Sequence, residues 1–520
     1  MGGTDKRIEC DLLVVGGGIN GAGIARDAAG RGLCVLLCEK DDLAAHTSSA
    51  SSKLIHGGLR YLEYYAFGLV RKALIEREVL LRSAPHIMWP LRFVMPHDAG
   101  QRPAWMIRAG LFIYDSLARR EFLPASEGVA LRCHPAGAPL KKGFTRGFVY
   151  SDGWVDDARL VVLNAIDARE RGARVLTRTR CGALVRAADH WTATLTHADG
   201  STTEVRARAL VNAAGPWAAQ FLHAATGAPA QQSLRLIKGS HIVVPRLFEH
   251  AYAYIFQHPD GRIVFAIPYE GKYTLIGTTD LDYTGDLDQV AISAGEIDYL
   301  CALSNHYFAR AITPADVVWS YAGVRPLVED AAASAAAATR DFRLEHDTAG
   351  APLLTVFGGK ITTFRKLAEE AVDWLAPQLG NPGRAWTAQA CLPGGDLFGE
   401  LPCKRAVVDY AGWVNGMQQR FPWLPPALTV RYARAYGTRM AAMLASCAAL
   451  ADLGEEILPG LYAVEVRYLM RQEWACSAAD ILWRRSKLGL HLAASSAAVL
   501  DAWIAAQAAA RMAADAPAAV

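Results

Sequence analysis

The N-terminal forty residues alternate between strand-like and helix-like apolar patterns. Residues 11–15 form a short apolar run that predicts a buried strand, and residues 22–30 have the apolar spacing of a helix. Residues 33–38 form a second apolar run that ends at Glu39. A strand, a helix and a second strand in this order predict the first unit of a doubly wound parallel sheet.

The rest of the chain changes pattern several times. Residues 61–120 have mostly helical spacing, and residues 156–171 predict another helix. Strands are predicted at residues 174–177, 191–196, 204–208, 210–212, 240–244, 262–267, 273–276 and 353–357. After a Pro-Gly-Gly linker at 393–395, the chain to residue 520 is rich in Ala, Leu and Arg and predicts helices.

Composition narrows the class of protein. The 520 residues are 52% hydrophobic and 20% charged, which predicts a globular chain of two or three domains. A formal net charge of +3 is too small to favour a nucleic-acid partner, and we expect none. The ten cysteines include no C-x-x-C pair, which is typical of a reducing compartment. No secretory, transit or membrane-spanning segment is predicted, so we expect a cytosolic protein or one attached to a membrane surface.

A glycine motif follows the first predicted strand and opens the first helix. Gly16, Gly18 and Gly21 fit G-x-G-x-x-G, in which glycines let backbone amides approach a pyrophosphate closely. Glu39 follows the second strand at the position where dinucleotide-binding folds carry an acid for the ribose hydroxyls. A carboxylate there disfavours NADP because it repels a 2′-phosphate.

The strand–helix–strand unit alone fits FAD and NAD equally. Two later segments favour FAD. Residues 211–216 are small side chains at a strand-to-turn passage, where a cofactor can lie close to the backbone. Gly358, Gly359 and Lys360 precede the helical residues 364–375, so a second helix N-terminus is predicted near the flavin N1/O2 locus.

Residues 47–61 carry an unusual density of polar groups beside the predicted nucleotide site. The segment TSSASSKLIHGGLRY contains five hydroxyl side chains, Lys53, His56, paired glycines and an Arg-Tyr pair. Function concentrates on loops that a rigid sheet holds in place. Arg60 in this segment and Arg325 further on are candidate bidentate clamps for a phosphate, although each is equally well explained by a pair with a structural carboxylate.

The runs VVGGGINGAGIARDAAGRGL, TSSASSKLIHGGLRYLE, RPAWMIRAGLFIYD, YSDGWVDDARLV, RLIKGSHIVVP, IGTTD, GVRPL and FGGKITTFRKLAEEA together resemble bacterial FAD-dependent glycerol-3-phosphate dehydrogenases. These respiratory flavoenzymes belong to the D-amino-acid-oxidase-like group. The resemblance begins near residue 11 and extends through the C-terminal helices. It implies an α/β fold, with a Rossmann-like FAD-binding domain, an inserted antiparallel-sheet substrate domain and a C-terminal all-helical domain.

The predicted boundaries divide the chain into six segments. The FAD-binding domain takes residues 1–80, 151–235 and 326–390, and a helical or cap insertion takes residues 81–150. The substrate domain takes residues 236–325, and the C-terminal helical domain takes residues 391–520.

The resemblance also implies the reaction. A hydride passes from C2 of sn-glycerol-3-phosphate to flavin N5, giving dihydroxyacetone phosphate, and a membrane quinone takes the electrons. Arg60, Tyr61 and Arg325 match substrate-binding positions, and Arg325 is also counted as catalytic. His56 and His241 are candidate bases because an imidazole accepts a proton near neutral pH, while Lys360 is a candidate base or alkoxide stabiliser.

The residues predicted to contact the cofactor come from the same motifs. They are Gly16, Gly18, Asn20, Gly21, Glu39, Lys40, Thr47, Ser48, Ser49, Ser51, Ser52, Lys53, His56, Gly57, Gly58, Ala214, Gly215, Gly359, Lys360, Ile361 and Thr362. His46 precedes the serine run, and some related flavoenzymes bind FAD covalently through a histidine. We nevertheless expect non-covalent FAD. No metal site is predicted.

Residues 102–120 combine Trp, Met, Ile, Leu and Phe with arginines, which is typical of a helix lying in an anionic membrane surface and equally of a core-facing helix. The resemblance favours peripheral attachment at the inner face of the cytoplasmic membrane. A second copy of the chain is a further candidate partner. The alternatives are a glycerol-3-phosphate oxidase, an amino-acid or sarcosine-type oxidase, and a flavin-binding regulator without catalysis.

Overall fold

The computed structural model describes residues 7–98, 100–227, 234–257, 262–328 and 341–515. Helices and strands are numbered in chain order. The strands are β1 Ile8–Val15, β2 Val35–Cys38, β3 Leu54–Ile55, β4 Met88–Pro96, β5 Glu127–Ala130, β6 Arg146–Val155, β7 Arg174–Leu176, β8 Thr179–Arg186, β9 Trp191–His197, β10 Thr202–Asn212, β11 Leu234–Pro245, β12 Ala253–Gln257, β13 Ile263–Tyr269, β14 Tyr273–Gly277, β15 Leu281–Asp282, β16 Trp319–Val328, β17 Phe342–Asp347, β18 Leu353–Gly358, β19 Glu456–Leu458 and β20 Leu461–Tyr462.

The helices are α1 Ile19–Gly30, α2 Phe67–Ser83, α3 Ala104–Ser116, α4 Asp157–Glu170, α5 Ala218–Thr226, α6 Ala294–Tyr307, α7 Phe364–Gln378, α8 Lys404–Val408, α9 Tyr410–Arg420, α10 Pro426–Tyr436, α11 Arg439–Met443, α12 Ala463–Gln472 and α13 Ser496–Asp515. Short 3₁₀ segments at Leu59–Tyr64 and Ile361–Thr363 carry several candidate site residues. The last five residues of the Ala-rich tail lie outside the described part of the chain.

The first sheet is built on five parallel strands in the order β18-β10-β1-β2-β7. β17 pairs antiparallel with β18, and β9 pairs antiparallel with β10. The central strands are apolar where they pair with one another at residues 12–15, 35–38 and 209–211, because both faces of the sheet are covered there, with α1, α4 and α7 packed together on one of them. The predicted doubly wound sheet is confirmed.

The second sheet runs in the order β15-β11-β14-β13-β12-β4-β6-β3, with β16 paired to β11 and β5 to β6. Its pairs are antiparallel except β12 with β4, which is parallel. Helix α6 packs on one face of this sheet, and α2 and α3 cover part of the other. The predicted antiparallel substrate sheet is therefore present and larger than the pattern indicated.

The helical pattern predicted over residues 61–120 is wrong for Met88–Pro96, which is strand β4. The segment MWPLRFVMP carries two prolines, which interrupt helical hydrogen bonding, and aromatic and β-branched side chains that pack well on a sheet. The second sheet thus takes β3, β4, β5 and β6 from outside the segment 236–325 predicted as the substrate domain. The six-part division of the chain stays a prediction.

The C-terminal part contains α8 to α13 and one short hairpin, β19–β20, around a core of its own. Buried ion pairs join it to the first sheet's domain, including Arg159 with Glu473 and Arg485 with Asp42. Among the described residues, no helix combines the length and apolar character needed to cross a bilayer.

Candidate active site

The turn after β1 is so tight that side chains are excluded from it. Gly16 has a φ of +113°, and a Cβ atom there would lie 2.4 Å from the Ala213 carbonyl oxygen. A Cβ atom at Gly21 would lie 1.9 Å from the Gly16 carbonyl oxygen. Glycine is therefore required at both positions. Helix α1 starts directly behind the turn; Gly18 has no side chain to cap it, the Ile19 N–H donates to Ser48 Oγ, and the next N–H groups of the first turn have no partner within the helix.

Glu39, at the end of β2, holds the glycine turn in place. Its Oε2 accepts a hydrogen bond from the Gly17 N–H at 2.7 Å, and its Oε1 accepts one from the Asp41 N–H at 2.8 Å. Burial raises the pKa of the Glu39 carboxyl. A carboxylate has about four lone-pair sites, so two remain for the ribose hydroxyls predicted at this position.

Two neighbouring cavities of about 320 Å³ and about 280 Å³ lie at the carboxyl ends of the parallel strands. Both are lined by Gly18, Thr47, Ser48, Ala213, Gly215 and Pro216, so they form one elongated cleft. In the sheet, β1 lies between β2 on one side and β10 on the other, so the strand order reverses at β1, and the cleft lies at its carboxyl end. Doubly wound sheets bind dinucleotides at the point where the strand order reverses.

Most of the predicted cofactor residues lie on the walls of this cleft. They are Gly16, Gly18, Asn20, Glu39, Lys40, Thr47, Ser48, Ser51, Ser52, His56, Gly58, Ala214, Gly215, Gly359, Lys360, Ile361 and Thr362. Gly21, Ser49, Lys53 and Gly57 lie behind the walls.

Lys53, one of the expected cofactor contacts, lies behind the wall of the cleft. Its Nζ donates to Asp157 Oδ1 at 2.8 Å and to the Ser49 carbonyl oxygen at 3.1 Å, and the side chain is buried. A buried ammonium needs a paired charge, and Asp157 at the start of α4 supplies it. Lys53 therefore holds the hydroxyl-rich loop against α4 from behind.

The hydroxyl groups of the same loop tie the two sheets together. Thr47 Oγ1 donates to the Val324 carbonyl oxygen at 2.7 Å, and Ser48 Oγ accepts from the Ile19 N–H at 3.0 Å. Ser51 Oγ donates to Asp157 Oδ2 at 2.7 Å. The loop thus contacts the start of α1, the start of α4 and strand β16, which fixes its position along the cleft.

Three cationic side chains converge on the smaller cavity. Arg60, Arg325 and Lys360 come from distant segments of the chain, and all three line it together with Tyr61. Lys360 Nζ lies 4.5 Å from the centre of the Tyr61 ring. Arg60 Nη2 approaches the Tyr64 hydroxyl at 3.4 Å. Three cationic side chains that line one cavity suit a phosphate ester, which carries negative charge and accepts several hydrogen bonds.

Arg325 has a carboxylate partner on the cavity wall. Its Nη1 donates to Asp280 Oδ1 at 2.5 Å, and its Nη2 donates to Thr278 Oγ1 at 2.8 Å. Asp280 and Thr278 also line the cavity, and neither was singled out from the sequence. Their signal was present in the run IGTTD, which begins with the last two residues of β14. Both alternatives left open for Arg325 are therefore present at once, since it lines the cavity and has a carboxylate partner.

The two candidate bases occupy different environments. His56 lines the smaller cavity, where its ring lies 6.4 Å from the Phe265 ring. His241 lies behind the wall, with Nε2 2.9 Å from Ser52 Oγ and its ring stacked on Tyr321 at 4.7 Å. Burial lowers the pKa of His241 well below its ordinary value. Of the two candidate bases, His56 lines the cavity directly, whereas His241 contacts Ser52, which lines it.

Ligand atoms of Glu39, Asp41 and His46 lie within 4.8 Å of one another near the larger cavity. Lys40 Nζ lies 2.5 Å from Asp41 Oδ2 and 2.7 Å from Asp288 Oδ1. An ammonium in this cluster already supplies positive charge and disfavours a metal ion there. The expectation of a protein without a metal site stays a prediction.

Comparisons with known proteins agree with this geometry. The family model described as "FAD dependent oxidoreductase" matches residues 11–365, and that described as "C-terminal domain of alpha-glycerophosphate oxidase" matches residues 385–515. A glycerol-3-phosphate dehydrogenase from Pseudomonas aeruginosa is 54% identical over 93% of both chains. A D-erythritol 1-phosphate dehydrogenase from Brucella abortus is 49% identical over 95% of this chain and 97% of its own.

A solved structure extends the likeness to three dimensions. The glycerol-3-phosphate dehydrogenase from Bacillus halodurans complexed with FAD has a TM-score of 0.77 and 27% identity, covering 96% of this chain and 90% of its own. The glycine turn, the start of α1 on the cleft wall and the carboxylate of Glu39 fit the pyrophosphate and ribose of FAD. The predicted fold class and cofactor are confirmed, and the chain belongs to the FAD-dependent oxidoreductase family.

Proposed function

We propose that this protein oxidises sn-glycerol-3-phosphate to dihydroxyacetone phosphate and passes the electrons to a membrane quinone. The observation that carries the proposal is the convergence of Arg60, Arg325 and Lys360 on the smaller cavity, beside the residues that would face the flavin ring. A phosphate ester accepts charge-assisted hydrogen bonds from these side chains, whereas a neutral alcohol brings no negative charge to them. The relatives named for glycerol-3-phosphate support the same substrate.

The two cavities have separate roles in this proposal. Glu39 would hold the ribose of FAD in the larger cavity, and Gly18 with the start of α1 would hold the pyrophosphate where the two cavities meet, while the Gly358–Thr362 segment lies along the smaller one. Bound FAD supplies the hydride acceptor. Arg325 and Arg60 grip the phosphate and thereby set the distance of the reacting carbon from the cofactor.

The hydroxyl proton of the substrate has one well-placed acceptor. His56 lies on the wall of the smaller cavity, and its backbone N–H donates to Thr362 Oγ1 at 3.2 Å, which anchors the histidine to the segment beside the flavin. An imidazole accepts the proton near neutral pH. Lys360 stabilises negative charge that develops on the same oxygen.

Anaerobic titration tests the proposed oxidation. The FAD-loaded protein is titrated with sn-glycerol-3-phosphate without oxygen or quinone, and the visible flavin absorbance is followed. The proposal expects stoichiometric bleaching by this substrate and none by glycerol. A flavin that amines bleach and glycerol-3-phosphate does not would instead support an amino-acid or sarcosine-type oxidase, and failure of every substrate would support a flavin-binding regulator.

A longer phosphorylated polyol is a second candidate substrate. The relative from Brucella abortus is named for D-erythritol 1-phosphate, and its identity to this chain is close to that of the Pseudomonas aeruginosa relative named for glycerol-3-phosphate. Both substrates present a phosphate ester and a secondary alcohol, so the same three cations serve either. The ratio of kcat/KM values for the two compounds decides between them.

Helix α3 supports attachment to a membrane surface. Its side chains Trp105 and Phe112 are 70% and 66% exposed, and Met106 and Ile113 beside them are also exposed. In globular proteins large apolar side chains rarely cluster on one exposed helix face, and such clusters mark interaction sites. Arg102 and Arg108 flank the patch and favour anionic lipids.

Co-sedimentation with vesicles tests this attachment. We expect the protein to sediment with phosphatidylglycerol vesicles at low salt, and a Trp105→Ser, Phe112→Ser double variant to stay in the supernatant. Val185→Ser, which removes an exposed apolar side chain on β8, is the matched control. An equal distribution of all three proteins would contradict attachment through α3.

The electron acceptor is tested separately. A quinone-linked enzyme reduces a water-soluble ubiquinone analogue during turnover and forms little peroxide in air. An oxidase forms one peroxide for each substrate oxidised. Measuring both products under air in the same assay separates the two enzymes, and gel filtration determines whether the chain forms a homodimer.

A further inference from the structure

The inner face of helix α3 contacts the substrate-binding segment. Tyr114 on α3 is buried, and its hydroxyl accepts a hydrogen bond from the Gly57 N–H at 2.9 Å. The same hydroxyl donates to the Asp152 carboxylate at 2.8 Å and 2.9 Å. Gly57 lies between His56 and Gly58, both on the cavity wall.

The partner of this hydroxyl is itself held in place. Asp152 on β6 accepts from Arg77 Nη1 at 2.8 Å and from the Gly57 N–H at 3.2 Å. Asp152 and Arg77 are both buried, so their charges compensate each other away from water. A hydrogen bond to a fixed, buried carboxylate leaves the Tyr114 hydroxyl little rotational freedom.

The contact between Tyr114 and Gly57 leaves no space for adjustment. A Cβ atom on Gly57 would lie 2.5 Å from the Tyr114 hydroxyl oxygen and 2.6 Å from Leu74 Cδ2 on α2. The backbone at Gly57 therefore follows any displacement of α3. Two residues beyond Gly58 the chain reaches Arg60, which is proposed to bind the substrate phosphate.

Helix α3 has two faces with different surroundings. Leu111 and Tyr114 are buried, whereas Trp105 and Phe112 on the opposite side are the exposed residues proposed to enter a bilayer. Helix α3 thus has on one side the exposed patch proposed to face the membrane, and on the other side Tyr114, which contacts the substrate-binding segment. A helix of this length moves as a rigid body, so a displacement of its outer face displaces its inner face as well.

We propose that Tyr114 is a positioning residue, through which attachment of α3 to a membrane is coupled to the geometry of the substrate-binding segment from His56 to Tyr61. Tyr114 does not touch the substrate; it acts through the Gly57 backbone. Fixing α3 in a bilayer restricts the segment beforehand, so the segment loses less conformational entropy when the substrate binds. The proposal rests on the membrane attachment proposed above.

Steady-state kinetics with and without vesicles test the coupling. The FAD-loaded wild type and Tyr114→Phe are assayed with sn-glycerol-3-phosphate and a water-soluble quinone analogue. Vesicles of equimolar phosphatidylglycerol and phosphatidylcholine are expected to lower the KM of the wild type. In Tyr114→Phe the KM is expected to be about five- to tenfold higher, with kcat less affected, and to no longer respond to vesicles.

A matched control separates positioning from general loss of stability. Tyr436 in the C-terminal domain is also buried, and its hydroxyl donates to Glu465 Oε1 at 2.6 Å. Tyr436→Phe removes a comparable hydrogen bond far from the cleft and is expected to keep both the KM and its vesicle response. A Tyr114→Phe protein that sediments with vesicles and has the KM and vesicle response of the wild type would overturn the proposal.

Amide hydrogen exchange provides a test that needs no variant. In the wild type, peptides covering residues 54–62 are expected to exchange more slowly when the protein is bound to vesicles. Unchanged exchange in protein that sediments with vesicles contradicts the coupling. Failure of the wild type to sediment contradicts the membrane attachment itself, so the two proposals fail in different measurements.

Discussion

Asp280 Oδ1 accepts a hydrogen bond from Arg325 Nη1 at 2.5 Å on the wall of the smaller cavity. Thr278 Oγ1 accepts from Nη2 of the same guanidinium, so two acceptors from one segment orient it. An oriented guanidinium loses less rotamer entropy when it grips an anion than a freely rotating one. The ion pair therefore prepares Arg325 for substrate binding.

Arg325→Ala should raise the KM for glycerol-3-phosphate strongly while FAD stays bound. Removing the guanidinium leaves the phosphate and Asp280 without their partner, and we expect a loss of about 2–5 kcal/mol in kcat/KM. Kinetics and the flavin content of the purified variant measure the two effects. Arg186→Ala, which removes an ion pair with Asp347 away from the cleft, serves as the control. Unchanged kinetics would remove Arg325 from the site.

Gly239→Ala should impair the same step without removing any functional group. A Cβ atom at Gly239 would lie 2.2 Å from Arg325 Nη2 and 2.7 Å from Thr278 Oγ1, so the guanidinium has to move. A displacement of about 1 Å at a substrate clamp costs up to about 10²-fold in kcat/KM. Gly128→Ala on strand β5, where the added atom meets its nearest neighbour at 4.0 Å, should have wild-type kinetics. Equal kinetics for both variants would contradict the steric argument.

Glu270→Gln should stabilise the protein above neutral pH. Burial, with a smaller contribution from Asp156, raises the pKa of Glu270 to about 7, while Lys487 and Lys53 oppose the rise. The folded protein therefore holds this proton more tightly than the unfolded chain. Ionisation of Glu270 costs folding stability progressively from about pH 4.5 to pH 7, and the full cost remains at higher pH.

Urea unfolding at several pH values measures this effect. At pH 8 we expect Glu270→Gln to exceed the wild type by about 2 kcal/mol, reduced from the full linkage value because Glu270 is only half-buried. Below pH 4.5 the difference should vanish. Glu249→Gln, at an exposed position, is the control. A difference that does not depend on pH would show that Glu270 is not the titrating group.

Arg485→Met should weaken the binding of FAD. Arg485 holds Asp42 through Nη1 at 2.5 Å and Nη2 at 2.8 Å, and Asp42 lies between Glu39 and the residues 44–46 that line the larger cavity. Without Arg485 the buried carboxylate of Asp42 loses one of its partners and the loop loses its anchor to the C-terminal domain. We expect about 3–5 kcal/mol less stability and a higher dissociation constant for FAD, measured by flavin fluorescence.

A second buried pair separates these two effects. Arg431 binds Glu465 at 2.6 Å and 2.7 Å within the C-terminal domain. Arg431→Met should lower stability by a similar amount while the folded protein keeps its affinity for FAD. Equal dissociation constants for FAD in the two variants would indicate that Arg485 does not support the cofactor loop.

The nucleotide-binding half was predictable from the sequence because its signals are local. Gly16, Gly18, Gly21 and Glu39 lie within one strand–helix–strand unit. The positive φ of Gly16, the contact that excludes a Cβ at Gly21 and the hydrogen bond from Gly17 to Glu39 are all set inside that unit. The hydrophobic periods of the flanking segments determine their secondary structure. The resemblance of several separate motifs to one enzyme family also predicts Arg60, Arg325 and Lys360 as site residues.

Only the tertiary structure decided which of the predicted site residues line the cleft and which support it from behind. Lys53 points to Asp157 and His241 lies behind Ser52 because each has a partner from a distant segment, and no local pattern specifies such partners. Strand β4 was read as helix because its apolar spacing fits both structures, and pairing with β6 and β12 decides between them. The sequence by itself thus determined the fold class and the cofactor turn. The long-range contacts of the folded chain decided which candidate side chains reach the cleft, since burial and ion pairing act between residues that the sequence keeps far apart.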